Sequence, residues 1–365
     1  TAEAIAALEN AFQTQPGARQ HPGLLHLHIH LMEMSPTPEA ALPSGDALVG
    51  LVPASGHMVH MATHIDVLCG DYLRVIERNQ AATLADALYF DREGKQHFYT
   101  LYAAHNIHFT IYGAMFLGQK AVALAAADEL ASFLSRDVVA MMPEFAESYV
   151  PMKQHVLIRF GDWEAIKAQT PPAEPDLYRM STALTHYAKS VAYSATDEVA
   201  KAEAARIDFL TAKAAVPDTW LLFNNRSIDL LEVAEAMLKG ELAFRKADYD
   251  AAFAHLRRSV ALSDGLAYDE PWGWMQPARH ALGALLMEQG EMTEAEAVYR
   301  SDLGYDGTLA RPHQHPENVW SLHGLHECLT RRGKTVEAAL VKPRLDTVAA
   351  RADVPIRASC FCRRS

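Results

Sequence analysis

Histidine is the residue whose number and spacing stand out in this chain, since 18 of its 365 residues are histidines. His26 and His30 are followed, 34 residues later in each case, by His60 and His64. A spacing of four residues within each pair places both side chains on one face of a helix, with Cβ atoms about 5–6 Å apart. Two imidazoles at that distance can share an ion, so the spacing predicts a site for a divalent transition metal, zinc or copper, with iron also possible.

Three further residues near these histidines can take part in chemistry at a bound metal. They are Glu33, Asp66 and Tyr112, which we take as candidate catalytic residues. Asp66 can orient a ligating imidazole or act as a base, and it can equally pair with a neighbour inside a helix bundle. Thioether ligands suit copper, so methionines in the same region keep copper as an alternative to zinc, although methionines at helical spacing more often fill a core. The methionines in question are Met32, Met34, Met58, Met61 and Met115.

Composition and missing motifs exclude several other functions. The formal charge of −12 argues against a nucleic acid or an anionic membrane surface as partner. The sequence has no run of about 18 apolar residues, no glycine-rich phosphate loop and no HExxH, GxSxG or CxxC motif. Four cysteines do not form a disulfide framework, so we expect a reducing compartment and a cytoplasmic protein. Because the chain begins at Thr1 rather than at a methionine, loss of an upstream signal segment remains an alternative.

The elements that position these residues are predicted to be helices. Apolar residues recur at helical spacing, strand-like alternation is almost absent, and short turns separate the segments. Between Leu231 and Leu262 the pattern resembles a tetratricopeptide repeat (TPR), a helix-turn-helix unit of about 34 residues. The residues that carry this resemblance are Gly240 in the first helix, Ala247-Asp248-Tyr249 in the turn and Ala252 in the second helix, followed one unit later by Gly283, Gly290, Ala295 and Tyr299.

Similar turns begin at Gly70, Gly118, Gly161 and Gly333, with weaker ones near Ser35 and Ala195. Together they indicate about eight helix pairs. We therefore predict an all-α fold, a right-handed superhelical α-solenoid of TPR-like helix pairs with essentially no sheet.

The TPR resemblance also implies where the histidines lie. In such arrays the first helices line a concave groove, which repeat positions 2, 5, 9 and 12 face, and the turn at Gly70 puts His57, His60 and His64 at positions 2, 5 and 9. With the neighbouring repeats included, one wall of the groove should gather Glu33, Tyr112 and eight candidate metal ligands: His26, His30, His57, His60, His64, His105, His108 and His155.

Two blocks of the sequence, residues 21–33 and 56–66, are similar to a bacterial and fungal group of TPR-domain proteins. The shared motifs are HPG-x-x-H-x-x-IH-x-x-E and GH-x-x-HM-x-x-HI. The resemblance extends to about residue 115 and includes the tail near residues 359–363, and it implies no activity.

We divide the chain into four parts: residues 1–20, 21–170, 171–352 and 353–365. The first is interpreted as a half-repeat of a truncated N-terminal part, so that the chain is a fragment whose helix Ala2–Phe12 packs against the helix beginning near Pro22. The second holds the metal site, and the third continues the repeats. For the tail, with Cys360 and Cys362, three hypotheses remain: a frayed end, a thiol that approaches the histidines while Phe361 docks inside the superhelix, or a disulfide.

Three classes of function fit this sequence. The first is a metalloenzyme, hydrolytic or oxygen-using, that takes a small-molecule or peptide substrate in the groove. The second is a TPR scaffold for protein or peptide binding, although a clamp for acidic peptide termini would need Lys, Arg and Asn where this chain has His and Tyr. The third is metal storage or sensing, which would explain the excess of histidines. We favour the metalloenzyme.

Overall fold

The computed structural model describes residues 2–363 of the chain. Its α-helices in the first half of the chain are α1 Ala2–Thr14, α2 Pro22–Met32, α3 Leu42–Val49, α4 Gly56–His60, α5 Thr63–Cys69, α6 Tyr72–Glu93, α7 Tyr99–Leu117, α8 Lys120–Phe133, α9 Arg136–Met141, α10 Pro143–Ala146, α11 Met152–Arg159 and α12 Trp163–Ala168. The second half contributes α13 Arg179–Ala195, α14 Val199–Ala214, α15 Ser227–Arg245, α16 Tyr249–Asp264, α17 Ala278–Gln289, α18 Met292–Asp302, α19 Val319–Arg331 and α20 Thr335–Ala349.

Short 3₁₀ helices and one small hairpin complete the secondary structure. The 3₁₀ segments are Ala18–Gln20, Pro38–Ala41, Glu147–Tyr149 and Arg311–His313. The hairpin pairs β1, Leu221–Leu222, with β2, Asn225–Arg226, in antiparallel register. Because these four residues are the strand content of residues 2–363, the predicted all-α class is confirmed.

Glycines with left-handed backbone end many of the helices. Positive φ angles occur at Gly70, Gly118, Gly161, Gly290 and Gly333. A residue without Cβ takes this conformation at little cost, and it lets the chain reverse into the next helix after two or three residues. Helices joined in this way pack against each other, as in α7 with α8, α17 with α18 and α19 with α20.

The segment that carries His60 and His64 differs from the single helix that the repeat pattern predicts. Helix α4 ends at His60 and α5 begins at Thr63. Thr63 Oγ1 donates a hydrogen bond of 2.7 Å to the carbonyl of His60, and the amide of His64 bonds to the carbonyl of Met61 with 3₁₀ spacing. The Thr63 hydroxyl thus occupies the carbonyl of His60, which in a continuous helix would accept the amide N–H of His64. The backbone between the two histidines therefore adopts the tighter 3₁₀ spacing.

Helix α1 packs against α2, as expected for the N-terminal segment. Leu8 and Phe12 are buried with Leu25 and Ile29 in a small cluster that reaches Ile65. A much larger apolar cluster runs from Val67 to Cys362 and includes residues from both sides of position 170.

The last third of the chain closes against the first third. Trp320 on α19 donates its indole N–H to the carbonyl of Met115 on α7 at 2.7 Å. The carboxylate of Asp353 accepts the amide N–H groups of Lys120 and Ala121 at the start of α8, at 2.7 and 2.8 Å. Contacts between residues more than 200 positions apart therefore fix α7. No helix between residues 2 and 363 combines the length and apolar character needed to cross a membrane.

Candidate metal centre

The site is built around His60 and His64, both buried, whose Nε2 atoms are 2.8 Å apart. The Nδ1 atom of His60 lies 2.6 Å from Oδ1 of Asn79 on α6. The amide of Asn79 is oriented by its Nδ2 group, which donates to the carbonyl of Val75 at 2.7 Å and to Thr63 Oγ1 at 3.2 Å. Since the amide oxygen can only accept, His60 donates its Nδ1–H and keeps a lone pair on Nε2.

His64 is held in the same tautomer by a carboxylate. Its Nδ1 lies 2.6 Å from Oε1 of Glu33, which also accepts from Nδ1 of His30 at 2.9 Å. His64 therefore donates through Nδ1, and in its neutral form it also presents a lone pair at Nε2. Two lone pairs that face each other at 2.8 Å repel unless a cation, either a proton or a metal ion, lies between or beside them.

His105 on α7 completes the group. Its ring centroid is 4.6 Å from that of His60 and 5.9 Å from that of His64, and its buried Nδ1 has no hydrogen-bond partner. One nitrogen from each of His60, His64 and His105 lies within 4.8 Å of the other two, a spacing that can hold a metal ion. A second group, His30, Glu33 and His64, meets the same distance condition and shares His64 with the first.

Burial keeps most of these imidazoles neutral. It lowers the pKa of His60 and of His105 well below the ordinary value of 6.5, with the neighbouring histidines adding to the effect. Burial also lowers the pKa of His57, to about 4. For His64, burial opposes protonation, but Glu33 and Glu270 outweigh it and raise the pKa. Neutral imidazoles are the form that binds metal, so His60 and His105 can ligate at neutral pH, whereas His64 would release a proton on binding an ion.

Helix α4 is held in place by a buried carboxylate. Asp86 on α6 accepts from Tyr99 Oη at 2.7 Å and from Asn106 Nδ2 at 2.9 Å, and it also bonds to the backbone of Gly56. A Cβ atom at Gly56 would lie 2.1 Å from the Asp86 carboxylate, so only glycine permits this approach. The helices that carry His60, Asn79 and His105 are thereby tied together.

The histidine group opens into a cavity of about 520 Å³. Buried carboxyl groups also line this cavity, and Oε2 of Glu270 is 3.9 Å from Nδ1 of His64. Burial raises the pKa of Glu270 to about 7 and that of Asp269 to about 8. The remaining wall is largely aromatic and apolar: Phe98, Leu101, Tyr102, Phe145, Tyr149 and Phe223.

Six of the eight predicted ligands meet in this region. An outer chain adjoins the buried group, in which His26 Nε2 lies 3.2 Å from Nε2 of both His30 and His57. His108 and His155 lie elsewhere. His108 Nε2 is 2.8 Å from the sulfur of Met275, and the ring of His155 packs edge-on against Trp274 at 4.8 Å.

Of the three candidate catalytic residues, only Glu33 contacts the histidine group. Asp66 instead pairs with Arg78 at 2.9 Å, which is the helix-bundle role left open from the sequence. Tyr112 is buried and stacks on Phe116 at 4.4 Å. Asp66 and Tyr112 therefore belong to the packing around the site rather than to the site itself.

Most of the methionines that the sequence places near the histidines belong to apolar packing. Met32 and Met61 are buried in the N-terminal apolar cluster, and Met115 is in the large one. Cys360 and Cys362 form a disulfide whose sulfur atoms lie near Glu241. The hypothesis of a tail thiol beside the histidines is thus corrected in favour of the disulfide, whereas Phe361 is partly buried and packs edge-on against Trp320 at 5.8 Å.

Sequence reasoning missed Asn79, Phe223 and Glu270. Asn79 lies on the second helix of its pair, where no motif links it to His60. Phe223 and Glu270 come from loops far along the chain. The one available signal was the acidic pair Asp269-Glu270 before Pro271 in the long connection between α16 and α17.

Comparison of the sequence with protein-family models and with curated proteins finds no match.

Proposed function

We propose that this protein is a metal-dependent enzyme whose ion is bound by His60, His64 and His105. The observation that carries the proposal is the pair of buried Nε2 atoms of His60 and His64 that face each other at 2.8 Å, each ring being fixed by a hydrogen bond on its opposite side. Carboxylate and amide partners behind the ligating histidines are a usual feature of metal sites. Two nitrogens bound to tetrahedral zinc at about 2.0–2.1 Å would be about 3.3 Å apart, so the pair needs to separate by only about 0.5 Å.

Three imidazole ligands would leave a coordination position for water or substrate. With zinc, that arrangement lowers the pKa of a bound water and suits hydrolysis, and with copper or iron it suits oxygen chemistry. Within the chain, Asn79 and Glu33 hold the ring orientations of His60 and His64. Glu270, whose Oε1 is buried without a partner, is placed to exchange a proton with a molecule in the cavity.

A second candidate function, metal storage or sensing, is favoured by the outer histidines. His26, His30 and His57 form a connected chain with Nε2 separations of 3.2 Å, more nitrogens than one ion requires. The peptide-scaffold alternative has less support, because the cavity is lined by carboxyl groups and has no Lys or Arg.

We also infer that the fold is a TPR-like array of helix pairs. The support comes from the helix pairs α13–α14, α15–α16, α17–α18 and α19–α20, which follow one another and pack in sequence. Gly240 and Gly283 fit the same interpretation, since a Cβ at either position would lie under 3 Å from the second helix of its own pair.

The test is metal analysis of protein purified without a histidine tag, followed by removal of the metal and reloading with zinc or copper. We expect one ion per chain and metal-dependent turnover in either an ester-hydrolysis or an oxygen-consumption assay. Retention of several ions without turnover would favour storage, and failure to bind either metal would contradict both proposals.

A further inference from the structure

Phe223 has a backbone conformation that its residue type disfavours. It is the first residue of the two-residue turn between β1 and β2, and its φ is +49°. Tight hairpins with positive φ at this position prefer glycine, and a bulky residue there is strained. Strain of this kind persists only where the surrounding structure imposes it, and it is concentrated at functional sites.

The hairpin is anchored firmly from one side. Asn225 receives the amide N–H of Ala267 at 2.8 Å and donates to the carbonyl of Ala267 and to Asp269, each at 3.0 Å. Asn224 donates its side-chain amide to the carbonyl of Tyr268 at 3.0 Å. The same loop that supplies Glu270 therefore holds the turn, and with it the ring of Phe223.

That ring is placed directly beside the metal ligands. Its centroid is 4.4 Å from the ring of His105 and 5.3 Å from that of Tyr149. Three exposed aromatic residues stand around the same cavity, with Phe98 61%, Tyr102 42% and Phe145 38% exposed. Large aromatic side chains left open to solvent around one cavity mark a binding surface for an aromatic molecule.

Charge narrows the class of ligand further. Besides its histidines, the cavity is lined by Asp269 and Glu270 and by no Lys or Arg, so an organic anion finds no permanently charged positive side chain there and has two carboxyl groups nearby. Aromatic faces together with carboxyl groups instead suit a neutral or a cationic ring compound.

Resting on the proposed function, we propose that the substrate is a neutral or cationic aromatic small molecule. Phe223 is the positioning residue that packs against the substrate ring next to His105, and the strained turn holds it there. Replacement of Phe223 by glycine should then relieve strain and weaken ligand binding at the same time.

The test measures binding of 2-naphthol, 2-naphthylmethylammonium, 2-naphthoate and cyclohexanol to metal-free and to zinc-loaded protein by calorimetry. 2-Naphthol and 2-naphthylmethylammonium should bind to both the metal-free and the zinc-loaded protein. In metal-free protein, 2-naphthoate and cyclohexanol should bind at least tenfold more weakly than these two compounds. Phe223→Gly should weaken 2-naphthol binding by about three- to tenfold, as expected for loss of one aromatic contact. Ala247→Gly is the matched control, since Ala247 has a φ of +60° in the turn between α15 and α16. It should relieve strain without changing naphthol binding.

Unchanged naphthol affinity in Phe223→Gly, or equally tight binding of naphthoate to metal-free protein, would overturn the inference. Because the metal-free and zinc-loaded proteins are measured separately, naphthol binding by a protein that takes up no zinc would refute the proposed metal site alone. Metal binding without naphthol binding would refute the aromatic substrate alone.

Discussion

Replacing His60 by alanine should abolish the stabilisation that zinc gives to the folded protein. An ion that binds only the folded state at about 1,000 times its Kd adds about 4.1 kcal/mol to the free energy of unfolding. An unfolding entropy of about 2.1 cal/mol/K per residue, applied to 365 residues, amounts to about 0.77 kcal/mol/K. The expected rise in Tm of the unaltered protein is therefore about 5 °C.

In His60→Ala, loss of one of three ligands should weaken zinc binding by a factor of about 1,000. At the same zinc concentration the remaining stabilisation is about 0.4 kcal/mol, or about 0.5 °C in Tm. Differential scanning calorimetry with and without zinc measures the shift, and circular dichroism checks that helicity is retained. His64→Ala should behave in the same way.

His28→Ala is the matched control. His28 is buried on α2 between His26 and His30 in sequence, but its Nδ1 bonds to Ser44 at 2.8 Å and its ring packs on Phe12. This variant can lower Tm of the metal-free protein, but its zinc shift should remain about 5 °C. A full zinc shift in His60→Ala, or loss of the shift in His28→Ala, would refute the ligand assignment.

Three further predictions test other parts of the structure. Asn79→Leu keeps every proposed ligand but frees the His60 ring, so the Kd for zinc measured by competition should rise about 10- to 100-fold, and an unchanged Kd would contradict the orienting role. Truncation after Ala358 should lower Tm by about 4 °C, because it removes about 3 kcal/mol of buried contacts around Ser359. The metal content should not change, and a reduced metal content would indicate that the tail does reach the site. Burial raises the pKa of Glu241 from 4.5 to about 7, so the folded state retains a proton that the unfolded state releases and the protein loses stability as pH rises through this range. Urea denaturation measures this loss as the fall in the free energy of unfolding between pH 4.5 and pH 8. The fall should be up to about 3 kcal/mol smaller in Glu241→Gln than in the unaltered protein. If the two proteins lose stability in parallel, Glu241 is not a buried acid with a raised pKa.

Features that depend on local backbone physics could be predicted from sequence. Turn glycines such as Gly118 and Gly290 end helices because a positive φ suits glycine. The helical spacing of the apolar residues is enough to indicate the all-α fold class. The repeat of 34 residues between the two histidine pairs also brings His30 near His64, with ring centroids 5.6 Å apart.

Features set by tertiary contacts could not be predicted. The helix break after His60 depends on a hydroxyl bond from Thr63, and repeat position did not indicate that His108 would face Met275 rather than the other histidines. Phe223 and Glu270 reach the site from loops in the second half of the chain, and no pattern near His60 specifies that approach.

The closure of the last third of the chain onto α7 has a consequence for how the protein acquires its site. In an open array of repeats each unit contacts only its neighbours, so folding can begin anywhere and the ends fray independently. Here the bond from Trp320 to Met115 couples the helix that carries His105 to residues made about 200 positions later. We expect one cooperative unfolding transition and slow folding, because long loops must close before these contacts form. A nascent chain that ends before α19 would contain all three ligand histidines but would lack the contacts that α19 makes with α7. Metal loading should therefore follow completion of the chain.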